Sequence, residues 1–261
     1  MNQPTSRSLH LRRRQRGNDA SMPVTDHLRE LRNRVFKCIA AVAISSVGVF
    51  FLYDPIYRFL THPYCEAIRA AKRDDCRLQF LDLVTPFATE LRVSFYVGIL
   101  VALPVIFWQV WRFVAPGLYR NEKRYALGFV GSAMFLFLLG ATLAYVSLPA
   151  IFSWLLAQAG DAQVQSTVDK YLSLLTLMVV AFGVSFEFPL VLLVLQLVGL
   201  VQPDALARHR RHAIVLIFLA VAIVTPGGDP VSLFILSIPL CVFYETTIWI
   251  ARALLRRRST R

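Results

Sequence analysis

His27-Leu28-Arg29-Glu30-Leu31-Arg32-Asn33-Arg34 runs without a break into an apolar block over residues 35–53, and that junction decides the fold. Arginines hold to the aqueous side of a lipid boundary, while about 20 apolar residues cross ~30 Å of hydrocarbon as a helix. Five more blocks follow, at 93–111, 125–148, 171–200, 213–226 and 231–250. The 261-residue chain is 56% hydrophobic yet carries 28 Lys+Arg against 16 Asp+Glu, a combination that an ordinary soluble core does not accommodate. The fifth block gives only ~21 Å of helix, which implies local bilayer thinning or a shallow pocket of water and neighbouring protein. The expected class is an all-α integral membrane protein with six transmembrane helices, two of them short and C-terminal.

Charge placement sets the orientation, because Lys and Arg near span ends accumulate in the cytoplasm. With both termini inside, 21 of the 28 basic residues fall on that face. The first outer loop balances Arg58, Arg69, Lys72, Arg73 and Arg77 against Asp54, Glu66, Asp74, Asp75 and Asp82, so it reads as a folded, roughly neutral cap. Residues 1–21 are expected to be a basic cytoplasmic tail without fixed structure, 22–252 a single six-span domain and 253–261 a second basic tail. The tails attract anionic membrane lipid at about 1 kcal/mol per basic residue near the surface. The basic residues lie in separate short loops and form no continuous stripe, so nucleic acid is not an expected partner. The run Arg12-Arg13-Arg14-Gln15-Arg16 has no apolar region close behind it, which argues against an export signal. The absence of a transit peptide favours a bacterial cytoplasmic (inner) membrane.

Cys65 and Cys76 share the first outer loop, whereas Cys38 and Cys241 fall inside spans. Outside the cytoplasm the two loop cysteines stand either as free thiols or as a disulfide stapling the loop, and the disulfide is the expectation. No metal-binding His-Glu-x-x-His helix, nucleophile elbow or phosphate loop is present, so neither an enzyme, a metal nor a cofactor is expected. Glu187, in Val184-Ser185-Phe186-Glu187-Phe188-Pro189, is the costliest acid, at about 2.5–3.5 kcal/mol in mid-membrane. Such residues face a bundle interior or a watery cavity, and a protonated Glu bonded to a neighbouring helix is the bland alternative. Glu245 is expected to pair with Arg252, two turns away.

Glu30 and Glu122 are acids set among basic residues on the predicted cytoplasmic side. On a helix Glu30 can pair with Arg34 at i,i+4, worth about 0.2–0.5 kcal/mol. Two such acids on one face can also receive a cationic ligand jointly, since a guanidinium matches a carboxylate with two parallel hydrogen bonds.

These segments together resemble the TatC family, the multispanning subunit of the twin-arginine protein translocase. The resemblance rests on the 27–34 stretch, on Ala102-Leu103-Pro104-Val105-Ile106 and Gln109-Val110-Trp111-Arg112-Phe113-Val114-Ala115-Pro116-Gly117-Leu118-Tyr119, and on Glu122-Lys123-Arg124. Ala181-Phe182-Gly183-Val184-Ser185-Phe186-Glu187-Phe188-Pro189 and Thr225-Pro226-Gly227-Gly228-Asp229-Pro230 extend it over nearly the whole chain. It implies a concave glove-like bundle that binds the paired arginines of signal peptides on folded precursor proteins. Glu30 and Glu122 would hold those arginines, with Arg32 and Phe113 shaping the same surface. It further implies that Glu187 faces the membrane-embedded concavity and that Pro63 and Asp229 lie on outer loops needed for transport. Single-span partners of the TatA and TatB types would dock near Thr225, within a receptor complex holding several copies of this chain. Many relatives carry a glutamine near the start of the last span where this chain has Ser232 and Leu233, which leaves Thr225 as the polar contact. The proton motive force would drive passage. The rival class is an ion-coupled secondary transporter with Glu187 as its intramembrane proton site, but neither inverted repeats nor paired broken helices are seen. A structural scaffold for other membrane proteins is a third reading.

Overall fold

A computed structural model describes residues 24–70, 78–114, 122–158, 167–225 and 228–259. Among these the secondary structure is helical: α1 (Val24–Phe50), α2 (Tyr53–Ala70), α3 (Thr85–Val114), α4 (Glu122–Gln158), α5 (Val168–Val198), α6 (Pro203–Arg208), α7 (Arg210–Val224) and α8 (Pro230–Ser259). The only strand-like pairing among them is an isolated bridge between Gln79 and Thr167. Helix is the form in which an apolar segment satisfies its own backbone, which is what lipid requires.

Five stretches are long and apolar enough to cross a membrane: Leu28–Phe50, Thr85–Phe113, Leu127–Gln158, Val168–Leu197 and Pro230–Leu255. The fifth sequence block forms α7, whose 15 residues reach only ~22 Å. Helix α8 continues past the last expected span as far as Ser259. The expected tail at 1–21 lies outside the described residues.

Two close helix pairs organise the bundle. Ser45 Oγ donates to the Gly98 carbonyl at 2.7 Å, and a Cβ on Gly98 would lie 2.7 Å from the Ser46 Cα, so α1 and α3 touch backbone to backbone. On α4, a Cβ on Gly140 would lie 2.6 Å from the Phe182 carbonyl oxygen of α5; one on Gly183 would lie 2.6 Å from the Phe137 ring. Small residues permit such approach, which in lipid replaces the hydrophobic effect as the source of helix association. Phe182, Phe186, Leu175 and Met178 of α5 are buried, with Leu148 and Ile151 of α4 and Leu236 and Ile248 of α8 in the same core.

Helix α2 sits within the loop expected as a cap. Tyr64, Ala67 and Ile68 form its buried side. Pro63 lies inside it and is buried. Proline has no N–H to offer the carbonyl four residues back, here that of Phe59. The Tyr145 hydroxyl of α4 donates to that carbonyl at 2.7 Å, and the Tyr171 hydroxyl of α5 donates to the Leu60 carbonyl at 2.6 Å. The proline thus frees the acceptor by which the cap is held to the spans.

Candidate functional site

Helices α1 and α3 run antiparallel, as the ties Ser45–Gly98 and Arg34–Gln109 both require. Arg34 is only 8% exposed, although it follows a polar stretch. Its Nη1 donates to the Gln109 carbonyl of α3 at 3.1 Å, and its Nη2 is ion-paired with Glu30 Oε1 one turn earlier on α1. Its Nε is buried with no partner among the described residues. The i,i+4 pair anticipated from sequence therefore forms, but as one arm of an anchor between two helices. Glu30 itself stays 41% exposed, beside exposed Arg29 and Arg32.

Phe113 lies one turn beyond Gln109 on α3 and is half-buried. With antiparallel helices, the step back to Glu30 and the step on to Phe113 reach the same level. Trp111 is buried there and packs on Phe129 of α4, ring centroids 4.5 Å apart, which draws the start of α4 to this corner. Helix α4 begins at Glu122, whose side chain is outside the description. The corner thus contains Glu30, Arg32 and Phe113 on described helix ends. Arg34 and Gln109 went unnoticed as its framework, since nothing in sequence distinguishes a buried arginine from its exposed neighbours.

Glu187 lies on α5 one turn after Gly183, on the side that meets Phe137 of α4. Its Oε1 is buried and has no hydrogen-bond partner among the described residues. The neighbouring Phe186 packs edge-on against Phe243 of α8 at 5.2 Å. An apolar cavity of about 260 Å³ opens between α2, α3, α4 and α5, but its α5 wall runs from Leu175 to Val180, two turns short of Glu187.

Asp229 and Thr225, expected near the outer loops, are held locally. Asp229 is 2% exposed and caps α8: its carboxylate accepts from the Ser232 amide and the Ser232 hydroxyl, both at 2.6 Å. With Pro230 opening the helix, this is the usual N-terminal chemistry of a buried helix start. Thr225 is buried at the end of α7, and its hydroxyl donates to the Val221 carbonyl at 2.8 Å. Cys65 is disulfide-bonded, and Cys76 lies outside the described residues.

One expected pairing is corrected. Glu245 bonds Arg210 at 3.1 Å, whereas Arg252 bonds Asp204 at 2.8 Å. The short helix α6 brings Asp204 to α8, and the Tyr244 hydroxyl donates to the Leu206 carbonyl at 2.9 Å beside them. Spacing along α8 alone gave Glu245 no sight of α7. Among the described residues no cluster of three or more His, Cys, Asp or Glu has metal-binding spacing.

The protein family described as Sec-independent protein translocase protein (TatC) matches residues 26–239. A protein of that name from Frankia casuarinae is 38% identical over 97% of this chain and 73% of its own length. Another from Aquifex aeolicus is 36% identical over 91% of this chain and 98% of its own. A solved structure described as the twin arginine translocase receptor TatC superposes with a TM-score of 0.71 at 35% identity, covering 87% of this chain and 98% of the other.

Proposed function

The chain belongs to the TatC family of Sec-independent protein translocase proteins, and from that premise we propose that it receives paired-arginine signal peptides at its cytoplasmic corner. It is a multi-pass membrane component of a protein translocase, a transport protein that works within a larger complex. The reading places it in a bacterial inner membrane with both termini in the cytoplasm. There α7 serves as a sixth, short span of a concave bundle.

The observation that supports the receptor role is the anchored Glu30. Arg34 fixes the end of α1 to α3, so the half-exposed carboxylate is presented on a rigid platform level with Phe113. A carboxylate accepts up to about four hydrogen bonds, so Arg34 and an incoming guanidinium can share it. Each exposed arginine–carboxylate pair contributes only about 0–1 kcal/mol. Glu30 and Glu122 therefore act as two points of one site, with Arg32 and Phe113 shaping it and the signal's apolar stretch adding affinity in lipid. Folded precursors are then passed on by assembly with single-span partners of the TatA and TatB types near Thr225, in a complex containing several copies of this chain. The transmembrane proton gradient supplies ~2.3 kcal/mol per charge per 100 mV.

In this reading Glu187 holds water within the bundle and thins the bilayer beside α5. Asp229, Pro63 and the Cys65–Cys76 disulfide act through the shape of the outer side. Replacing both acids, Glu30→Ala with Glu122→Ala, is expected to reduce photocrosslinking of a twin-arginine signal peptide to background while the protein still inserts. Crosslinking at the wild-type level would overturn the receptor role.

A further inference from the structure

An open apolar groove of about 690 Å³ runs between α7 and the cytoplasmic half of α8, lined among others by Ile214, Val242, Glu245, Thr246, Trp249 and Ile250. It exists because the two helices differ in length. The Arg210–Glu245 pair sets the start of α7 level with the middle of α8, and α8 continues to Ser259. Helix α6 meets α8 at Tyr244, which also borders the groove, and at Arg252. The rest of this wall is left bare, with Trp249 71% and Ile250 48% exposed.

The mouth of the groove is basic. Arg210 is neutralised by Glu245, but exposed Arg211, three residues before Ile214 and so on its side of α7, has no carboxylate partner among the described residues. The first amides of α7 receive no side-chain cap from His209 and carry the positive end of the helix dipole. Apolar walls below a cationic rim are complementary to a lipid with a negative headgroup. A transmembrane helix is ~10 Å wide and needs a seat along the full span, whereas this groove involves Ile214 alone from α7.

Resting on the proposed orientation with the α6–α7 junction in the cytoplasm, we infer that the groove seats an anionic phospholipid of the inner leaflet. One acyl chain lies along Val242, Thr246 and Trp249, and the phosphate sits at Arg211. The lipid fills the step left where α7 stops short.

The test reconstitutes the purified full chain in phosphatidylcholine vesicles with a trace of phosphatidylglycerol or phosphatidylcholine carrying a photoactivatable acyl chain, and maps the labelled peptides. Phosphatidylglycerol is expected to label residues 242–250 about fivefold more than phosphatidylcholine, as one basic contact implies. Arg211→Gln should abolish that preference and Arg211→Lys retain it, while Ile214→Trp fills the groove and lowers labelling by both probes. Equal labelling by the two probes overturns the site, as does a preference that survives Arg211→Gln. Loss of labelling when a single-span subunit is added would also overturn it and assign the groove to that helix. Signal-peptide crosslinking through Glu30 should be unchanged in Arg211→Gln, so failure here is distinct from failure of the receptor role.

Discussion

Helices α5 and α7 are both apolar, and by composition alone they look alike, yet the bundle treats them differently. α5 buries Tyr171, Leu172, Leu175, Met178, Phe182, Phe186 and Leu190 along its length. α7 buries Ile217 and Val221 alone, leaving Val215, Leu216, Leu219 and Ile223 more than half exposed. In lipid an exposed apolar side chain costs almost nothing, so hydrophobicity does not decide which helix becomes the core. Shape does. α5 meets Gly140 of α4 and offers Gly183 to Phe137, so backbones and rings interlock there. α7 has no such glycine seam: Arg210 pairs with Glu245 at its start, Phe218 meets Phe234 of α8 edge-on at 6.0 Å in its middle, and Thr225 is buried at its end. α7 thus turns most of its apolar side chains outward, whereas α5 is the spine.

Substitutions at three positions probe this contrast. Gly140→Val should have the largest effect, because even its Cβ would lie 2.6 Å from the Phe182 carbonyl and the seam must open. A loss of about 1–3 kcal/mol is expected, read as a lower thermal midpoint of the detergent-solubilised protein. An unchanged midpoint would break the distinction between spine and surface. Asp229→Ala should cost about 1 kcal/mol by uncapping α8, with Asp229→Asn costing less because a side-chain oxygen remains. Limited proteolysis between α7 and α8 would show the local loosening, and equal protection in both variants would remove the cap from the account. Glu187→Gln should be the mildest, within about 0.5 kcal/mol of wild type, since Glu187 Oε1 has no partner among the described residues to lose. Export of a reporter precursor should change even so, and full activity would reduce Glu187 to a tolerated polar residue.

Much of this architecture was legible in the sequence. The apolar blocks became helices, several of which run well beyond the expected ends, as Val24–Phe50 does for 35–53 and Glu122–Gln158 for 125–148, and the block too short to be an ordinary span became the 15-residue α7. Helix α2 was hidden in a stretch read as a loop, although Tyr53, Tyr57, Leu60, Tyr64, Ala67 and Ile68 recur at helical spacing. Its signal was weak because Pro63 and the polar Asp54, Arg58, His62 and Glu66 interrupt the apolar run. Glu30 was legible as a carboxylate that invites a cation, but the anchor beneath it was not. Arg34 is one of several arginines in the stretch, and its burial follows from where Gln109 of a helix 75 residues away presents a carbonyl. The pairing of Glu245 failed for the same reason, because the nearer cation in space was not the nearer cation in sequence.

The sequence by itself determined that this chain crosses a membrane as helices and which family it resembles. Those properties are set by local composition, period and spacing, and each segment states them independently of the others. The tertiary structure decided which helix is the core, which charged residues pair, which carboxylate oxygen has no partner among the described residues and where a groove remains open. These depend on where a glycine on one helix meets a carbonyl on another, and on two packed helices differing in length. No single segment carries that information.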